Sequence, residues 1–328
     1  MNHNYWIYNE YFIFSASFDD NILDYVHIIK NCKKLRFSNY NNLECSIRQI
    51  MSINNCFFAG GITRSKFNQP LANSLDGLTN LTEFTFSTYF NKPLENSLDS
   101  LINLRKLTFG DYFDMPLANS LDKLTNLNCL TFGVYFNQPL ANSLDSLINL
   151  KHLTFGSSFN KPLANSLDSL INITHLTFGT SFKKPLANSL DSLINITHLT
   201  FGNCFNQLLS NILYNLTKLE HLTLGHCFDQ ELNLPSNIKI LNLDCNNQYL
   251  IDNLPNSIEQ LNCGYVFNLP LDNLPNSIKK ISFNTNIGYN KELNNLPKLL
   301  EHLDLPVNYK LEIKNIPSNC KIDKNINN

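Results

Sequence analysis

Charged residues, glycine and tryptophan are scarce in this chain of 328 residues. Asp, Glu, Lys and Arg together make up 16% of the sequence, glycine occurs 11 times and tryptophan once. With 25 basic and 27 acidic residues the net charge is −2, and no basic stripe occurs, which argues against binding to nucleic-acid phosphates. Gly60-Gly61 lacks the following Lys-Ser/Thr of a phosphate loop, and neither HExxH nor a zinc-finger spacing is present.

Other absences concern membranes, secretion and disulfides. No run of about 18 apolar residues occurs, so no membrane span is expected. The first residues, MNHNYWIYNEYFIF, lack the basic and then apolar order of a signal peptide. The nine cysteines contain no CxxC pair, which predicts free thiols in an intracellular, cytoplasmic setting (the host cytoplasm if the chain is viral). Cys204 and Cys227 stand 23 residues apart, one repeat, and are therefore expected to be neighbours.

What the sequence has in abundance is a repeat. The string PLANSLDSLINITHLTFG occupies Pro162–Gly179 and again Pro185–Gly202 without a change. Phenylalanine recurs every 23 residues at 67, 90, 113, 136, 159, 182, 205 and 228, and a second column stands at 86, 109, 132, 155, 178 and 201. An active site is a unique arrangement of side chains, whereas verbatim repetition is typical of a surface made by stacking.

Each repeat predicts one coil of a solenoid. In Leu147, Leu150, Leu153 and Phe155, two steps of three residues are followed by one step of two. Steps of three indicate a tight helical or 3₁₀ turn. A step of two indicates a short strand, because alternate side chains of a strand share a face. One unit is therefore a strand, a corner, a short return and a second corner, and the two phenylalanine columns are predicted to fill its interior.

The same phase extends beyond the regular repeats. Upstream, strands are predicted at Phe12-x-Phe14, Leu35-x-Phe37 and Cys56-x-Phe58. The longer step from there to Phe84 predicts an insertion of about five residues near Gly60–Ser65. Downstream, strands are predicted at Leu241, Leu261, Ile281 and Leu303, with extended returns that contain Leu-Pro.

These patterns predict a single solenoid domain over residues 1–328. It is expected to have about fourteen coils, none of which can bury its apolar side chains alone. The segments are irregular coils at 1–66, regular 23-residue repeats at 67–227 and shorter repeats of 19–22 residues at 228–328.

The repeat also resembles known families. The pattern L-x-x-L-x-x-L-x-F resembles leucine-rich repeats, and Ser143–Phe155 looks like their plant-type class. Phe136-Asn137-Gln138-Pro139-Leu140 and Leu274-Pro275-Asn276-Ser277-Ile278 are similar to the FNIP-repeat family, which is abundant in slime moulds and giant DNA viruses. The resemblance implies an α/β repeat: a leucine-rich-repeat-like right-handed solenoid with one parallel β-sheet on the concave face and short helical, 3₁₀ or extended returns on the convex side.

The resemblance further implies a role in protein interaction. Some family members carry an N-terminal F-box and look like substrate receptors of ubiquitin ligases. In this chain the first 40 residues are already predicted to form coils, which leaves no room for an F-box.

The outward side chains of the strands are the predicted partner-binding surface. Before the strand leucine stands a column of Glu83, Lys106, Cys129, His152, His175, His198 and His221, and after it a column of threonines from Thr85 to Thr223. Neighbouring strands lie about 4.8 Å apart, so each column forms a ladder. The residues predicted to contact a protein partner are Lys106, Thr108, Thr131, His152, Thr154, His175, Thr177, His198, Thr200, His221 and Thr223.

Two chemical interpretations compete with this one. Four histidines in a column could bind a transition metal or sense pH, but duplication of one surface residue also produces them, and a straight row converges poorly on an ion. We therefore predict no metal and no cofactor. Ser143, Asp145 and His152 form a hydrolase-like set on paper, but Asp145 begins the return and His152 lies on the strand, out of hydrogen-bond reach.

Asparagine follows the first phenylalanine of most repeats. It stands at positions 68, 91, 137, 160 and 206, with aspartate at 114 and 229. These side chains are predicted to form an internal ladder that satisfies backbone groups at the corner, although Lys183 interrupts the column.

The sequence therefore favours a non-enzymatic protein–protein interaction scaffold that binds neither nucleic acid nor membrane. A substrate-recruiting adaptor of a ubiquitin ligase and a hydrolase are the alternatives.

Overall fold

Two stacks of coils make up the computed structural model, which describes residues 4–51, 64–283 and 288–325. The stacks form two compact units, Met1–Ile173 and Thr174–Asn328. In each unit every coil contributes one short strand to a sheet, and the apolar residues of successive coils fill the space behind it. The predicted parallel-sheet solenoid is confirmed in each unit, whereas the prediction of a single domain stays a prediction.

The described strands of the first unit are β1 Tyr5–Tyr8, β2 Tyr11–Phe14, β3 Lys34–Phe37, β4 Glu83–Thr85, β5 Lys106–Thr108, β6 Cys129–Thr131 and β7 His152–Thr154. Its helices are a 3₁₀ helix at Ile22–Tyr25, α1 Val26–Ile29 and α2 Leu43–Ile50. β1 and β2 form an antiparallel hairpin, and β2 to β7 pair in parallel in chain order.

The described strands of the second unit are β8 His175–Thr177, β9 His198–Thr200, β10 His221–Leu224, β11 Ile240–Leu243, β12 Gln260–Cys263, β13 Lys280–Ser282, β14 His302–Pro306 and β15 Lys321–Asn325. Its helices are α3 Ser210–Asn215 and α4 Gln248–Asp252. All eight strands pair in parallel in chain order. The strands predicted at Leu241, Leu261, Ile281 and Leu303 are confirmed, and sequence reasoning did not assign β1 or β15.

Phenylalanine stacks form the core, as predicted. The Phe109 and Phe132 rings lie 5.4 Å apart at an interplanar angle of 5°, and the Phe113 and Phe136 rings lie 6.1 Å apart at 4°. Within one coil the two columns touch, since the Phe132 and Phe136 ring centroids are 4.1 Å apart. Because the coils have equal length, each ring meets the same partner in the next coil, and one packing arrangement serves the whole stack.

The predicted insertion is too short. β3 pairs directly with β4, with Leu35 opposite Phe84, so no strand stands between them in the described sheet. Cys56, Phe58 and Gly60 lie outside the described residues.

The inserted segment lies between Phe37 and Phe67, at one corner of the coil that contains β3. Phe37 stacks on Phe67 at 4.7 Å although the two are 30 positions apart, whereas the corresponding Phe155 and Phe159 are 4 apart. The segment includes α2, whose first turn is capped by the Asn42 side chain accepting from the Cys45 N–H. The Asn39 carboxamide oxygen accepts from the Ser65 N–H at 3.0 Å where the chain rejoins the coil.

The returns are successive tight turns. In the coil before β7, i→i+3 hydrogen bonds join Ser143 N–H to Leu140 C=O, Leu147 N–H to Leu144 C=O and Leu150 N–H to Leu147 C=O. This is the predicted 3₁₀ bonding pattern. A left-handed residue interrupts it in six coils, with φ of 42–48° at Ala72, Glu95, Ala118, Ala141, Ala164 and Ala187. Nothing in the sequence pattern indicated this conformation, since alanine rarely adopts it.

Replacing Ala118 by glycine is expected to stabilise the protein by about 0.5–1 kcal/mol. At φ 44° the alanine Cβ is strained, and removing it relieves more energy than the added flexibility of the unfolded chain costs. Denaturant unfolding followed by circular dichroism measures the change. The control is Ala16→Gly, at a buried alanine with negative φ, which should destabilise the protein. Loss of stability in Ala118→Gly would contradict the strain argument.

The predicted asparagine ladder is confirmed in both units. In the first unit the Asn137 side-chain oxygen accepts from the Asn160 N–H at 2.9 Å, and Asp114 accepts from the Asn137 N–H at 2.8 Å. In the second unit Asn206 accepts from the Asp229 N–H at 3.0 Å. Lys183 cannot continue the ladder through its side chain, because an ammonium group has no acceptor.

Removing one step of the ladder should cost about 1–3 kcal/mol. In Asn137→Ala the Asn160 N–H, which is partly buried, loses its acceptor. The free energy of unfolding in urea measures the cost. Asn137→Asp is the matched control, because aspartate already performs this role at Asp114, and it should retain most of the stability. Equal losses in the two variants would show that the side-chain acceptor is not what stabilises the corner.

A second ladder was not predicted. The side-chain nitrogens of Asn103, Asn126 and Asn149 each donate to a backbone carbonyl of the preceding coil at 2.9 Å. These asparagines belong to the L-x-N-L part of the repeat, so their regular recurrence was the available signal.

Candidate functional site

In each unit the outward side chains of the parallel strands form a surface that we call the sheet face of that unit. In the first unit, register pairs Thr85 with Thr108, Thr108 with Thr131, and Thr131 with Thr154. The leucine or phenylalanine that precedes each threonine is buried behind the sheet, and each threonine is half-buried on the open side. Of the flanking residues, Lys106 and His152 are exposed. The predicted ladder is therefore present in this unit.

The sheet face of the second unit consists of threonines and then of amides. Thr177 pairs with Thr200, and Thr200 with Thr223. Beyond them Asn242 donates to the Thr223 hydroxyl at 2.8 Å, and Asn262 donates to the Asn242 side-chain oxygen at 2.5 Å. Asn242 and Asn262 were missed by sequence reasoning, although they occupy the threonine position of the shorter coils.

These amides line an open depression of about 350 Å³ on the sheet face. Gln260 donates to the Asn262 side-chain oxygen at 2.9 Å, and Asp244, Lys280 and Ser282 complete part of the wall. Amide groups offer both donors and acceptors, so this wall has the hydrogen-bonding character of a peptide backbone.

Three histidines of the second unit stack face to face. Ring centroids are 4.0 Å apart between His175 and His198 and 3.9 Å apart between His198 and His221. The Nδ1 atoms of His175 and His198 lie 2.9 Å and 2.8 Å from the hydroxyls of Thr174 and Thr197. His152 belongs to β7 of the first unit.

The stacked geometry of the three histidines is unfavourable for a metal site. Parallel rings place their nitrogens side by side, whereas a metal ion requires ligands that converge on one point. Among the residues that the structure describes, no group of three or more His, Cys, Asp or Glu side chains could hold a metal ion.

Alternating charges border the sheet face of the second unit. Glu220 pairs with Lys239 at 2.6 Å and Glu259 with Lys279 at 2.8 Å, and all four side chains are about half exposed. The hydrogen bond from its lysine, and then the lysine charge, lowers the pKa of each glutamate. Since the pairs are solvated, they add little stability, and their main effect is to cancel charge along this border.

A charged cluster on the sheet face near the start of the first unit also escaped sequence reasoning. Lys34 pairs with Glu83 at 2.9 Å and lies 4.9 Å above the Tyr11 ring, while the Tyr11 hydroxyl donates to Glu83 at 3.2 Å. Burial lowers the pKa of the neighbouring Arg36. The members come from β2, β3 and β4, which are 23 and 49 residues apart, so only strand pairing brings them together.

The hydrolase-like set is divided between two parts of its coil. Ser143 and Asp145 lie in the return turns, with Ser143 buried and Asp145 exposed, and His152 begins β7.

In the described part of the chain, no helix has the length and apolar character needed to cross a membrane.

The fold and the repeat define each unit as a leucine-rich-repeat-like solenoid. The FNIP repeat family matches residues 228–266 and 246–286. These segments lie in the shorter Leu-Pro coils of the second unit, so this part of the chain is similar to FNIP repeats. A search of curated proteins gave no match.

Solved structures with a similar fold are leucine-rich-repeat proteins. CroV588, described as a novel circular LRR protein, is 23% identical with a TM-score of 0.53, over 98% of this chain and 60% of its own. The internalin InlF of Listeria monocytogenes is 18% identical with a TM-score of 0.55, and the match covers 80% of this chain and 78% of InlF. TLR13, in a complex with ssRNA13, is 18% identical with a TM-score of 0.60, and the match covers 88% of this chain and 45% of TLR13. This chain therefore spans less than two thirds of the length of CroV588 and TLR13. Repeat folds of this kind are typical of protein–protein interaction scaffolds.

Proposed function

We propose that this protein is a non-enzymatic interaction scaffold that binds a protein partner on the sheet face. The observation that carries the proposal is the threonine column, which runs in register through paired strands in both units and points away from the core. Threonine and asparagine offer hydrogen bonds without the desolvation cost of charged groups, which suits a surface that is to be covered by another protein.

The proposed contact residues are Lys106, Thr108, Thr131, His152, Thr154, His175, Thr177, His198, Thr200, His221 and Thr223. We include Asn242 and Asn262 in the proposed set, because their amides extend the same hydrogen-bonding surface.

A protein partner is favoured over a nucleic acid. A structural neighbour, Drosophila Toll, was solved in complex with Spatzle, and TLR13 was solved with ssRNA13, so folds of this kind occur in complexes of both kinds. In this chain the net charge is −2, and the alternating pairs at the border of the sheet face offer no basic track for phosphates. No described contact favours the ubiquitin-ligase adaptor or the hydrolase. The intracellular, cytoplasmic setting stays a prediction.

Arginine substitutions on the sheet face test the proposal. We expect Thr131→Arg in the first unit and Thr200→Arg in the second to reduce partner capture at least about tenfold, because a long charged side chain blocks a close interface. Proximity labelling with the full chain, compared between variants, measures which proteins are lost. The unfolding midpoint should stay near that of the parent chain.

The matched control is Ile148→Arg on the return side of the coil, where Ile148 is 51% exposed. This variant should keep the labelled set. Loss of the partner with Ile148→Arg but not with Thr131→Arg or Thr200→Arg would contradict the proposal and would place the interface on the exposed isoleucine column of the returns.

A further inference from the structure

Two exposed thiols stand out among the cysteines. Of the eight cysteines within the described residues, Cys204 and Cys227 are the two that are exposed. Cys45, Cys245 and Cys263 are buried, and burial raises the pKa of Cys245 to about 12. A buried thiol that stays protonated reacts slowly, so Cys204 and Cys227 are the thiols at which reagents from solvent are expected to react.

The two thiols belong to consecutive coils of the second unit. Their strands pair with His198 opposite His221, and each cysteine lies six residues beyond that histidine. The Cys227 N–H donates to the carbonyl of Asn203, the residue before Cys204, at 2.8 Å. One residue further on, the Phe205 and Phe228 rings are parallel within 2°. The backbones around the two cysteines therefore run side by side.

The side-chain direction at this position is visible in the first unit. Tyr89, Tyr112 and Tyr135 occupy the equivalent place in three successive coils, and the ring centroids of each consecutive pair lie 4.7 Å apart. Side chains at this place thus point the same way and touch their counterparts in the next coil. Paired strands lie about 5 Å apart, and we expect a similar separation between the Cα atoms of Cys204 and Cys227. This lies inside the range of about 4.4–6.8 Å that a disulfide requires.

We propose that Cys204 and Cys227 form a dithiol site for two-electron oxidants of the peroxide class, which convert it to a disulfide that links two consecutive coils. One thiolate attacks a peroxide oxygen, the O–O bond breaks, and a sulfenic acid and hydroxide form. The hydroxide takes up the proton that the thiol had released on ionising, which gives water. The second thiol attacks that sulfur, its proton leaves with the hydroxide, and a second water departs as the S–S bond forms. Two electrons pass from the two sulfurs to one peroxide, and no further reactant is needed.

The bond has a defined structural effect. It closes a loop of one repeat that begins after β9 and contains α3 and β10. In the reduced chain these coils are held only by noncovalent contacts, so the link resists local separation of the coils. The inference does not depend on the proposed partner surface.

The test treats the reduced full-length chain with about one equivalent of hydrogen peroxide per thiol pair, since one peroxide oxidises one pair. We expect the mass to fall by two hydrogen atoms, peptide mapping to find Cys204 joined to Cys227, and the melting temperature to rise by a few degrees. A thiol reductant should reverse all three changes.

Serine variants supply the controls. Cys204→Ser and Cys227→Ser should each abolish the intramolecular disulfide, and both should fold, because Ser158 and Ser181 already occupy this position in other coils. Cys129→Ser should oxidise like the parent chain. A different bonded pair, a disulfide between two chains, or oxidation of Cys204 and Cys227 to sulfinic acids without a bond would overturn the proposal.

Discussion

Replacing Phe132 by alanine should destabilise the first unit by about 3–5 kcal/mol. The Phe132 ring is 2% exposed and contacts three other rings, with centroid distances of 5.4 Å to Phe109, 4.1 Å to Phe136 and 5.6 Å to Phe155. Alanine leaves a cavity that these rings cannot close, because each is fixed by its own neighbours in the next coil. Urea unfolding monitored by circular dichroism gives the loss in free energy.

Phe132→Leu is the control for that prediction. Leucine stands in the same column at Leu224, which is fully buried, so the stack tolerates it at one position. The leucine variant should lose roughly 1–2 kcal/mol, well below the alanine variant. If the two variants lost the same amount, ring stacking and cavity formation would not explain the stability of the core.

Replacing Gly133 by alanine should cost about 3 kcal/mol or more, a large effect for the addition of one methyl group. A Cβ on Gly133 would overlap the backbone carbonyl of Gly110 in the preceding coil. The same overlap recurs at Gly156 against Gly133 and at Gly202 against Gly179, so the corner after the strand depends on glycine in both units. Since a backbone carbonyl cannot rotate away as a side chain can, the two coils must separate. Thermal and urea unfolding measure the loss.

Gly77→Ala separates this clash from backbone strain. Gly77 has a positive φ of 76°, but nothing lies within 4 Å of an added Cβ, so alanine there meets conformational strain alone. We expect a cost of about 1 kcal/mol at this position. A loss at Gly133 no greater than that at Gly77 would show that the coils can separate at the corner without penalty.

Sequence reasoning placed the sheet face correctly because the face follows from periodicity. Alternation around Leu153 and Phe155 fixes which side chains of β7 point outward, and the constant repeat length brings Thr131 and Thr154 into register. It missed the cluster of Tyr11, Lys34 and Glu83, since these side chains meet only through strands whose spacing in the sequence is irregular.

The repeat length, the parallel strands, the phenylalanine stacks and the corner asparagine ladder were determined by the sequence alone, because each depends on a local pattern that recurs at a fixed interval. The tertiary structure alone decided the size of the insertion before Phe67, the left-handed alanines such as Ala118, and the amide row of Asn242 and Asn262. The physical reason is that these features depend on contacts between neighbouring coils. The spacing of residues within one coil does not determine the distances between coils.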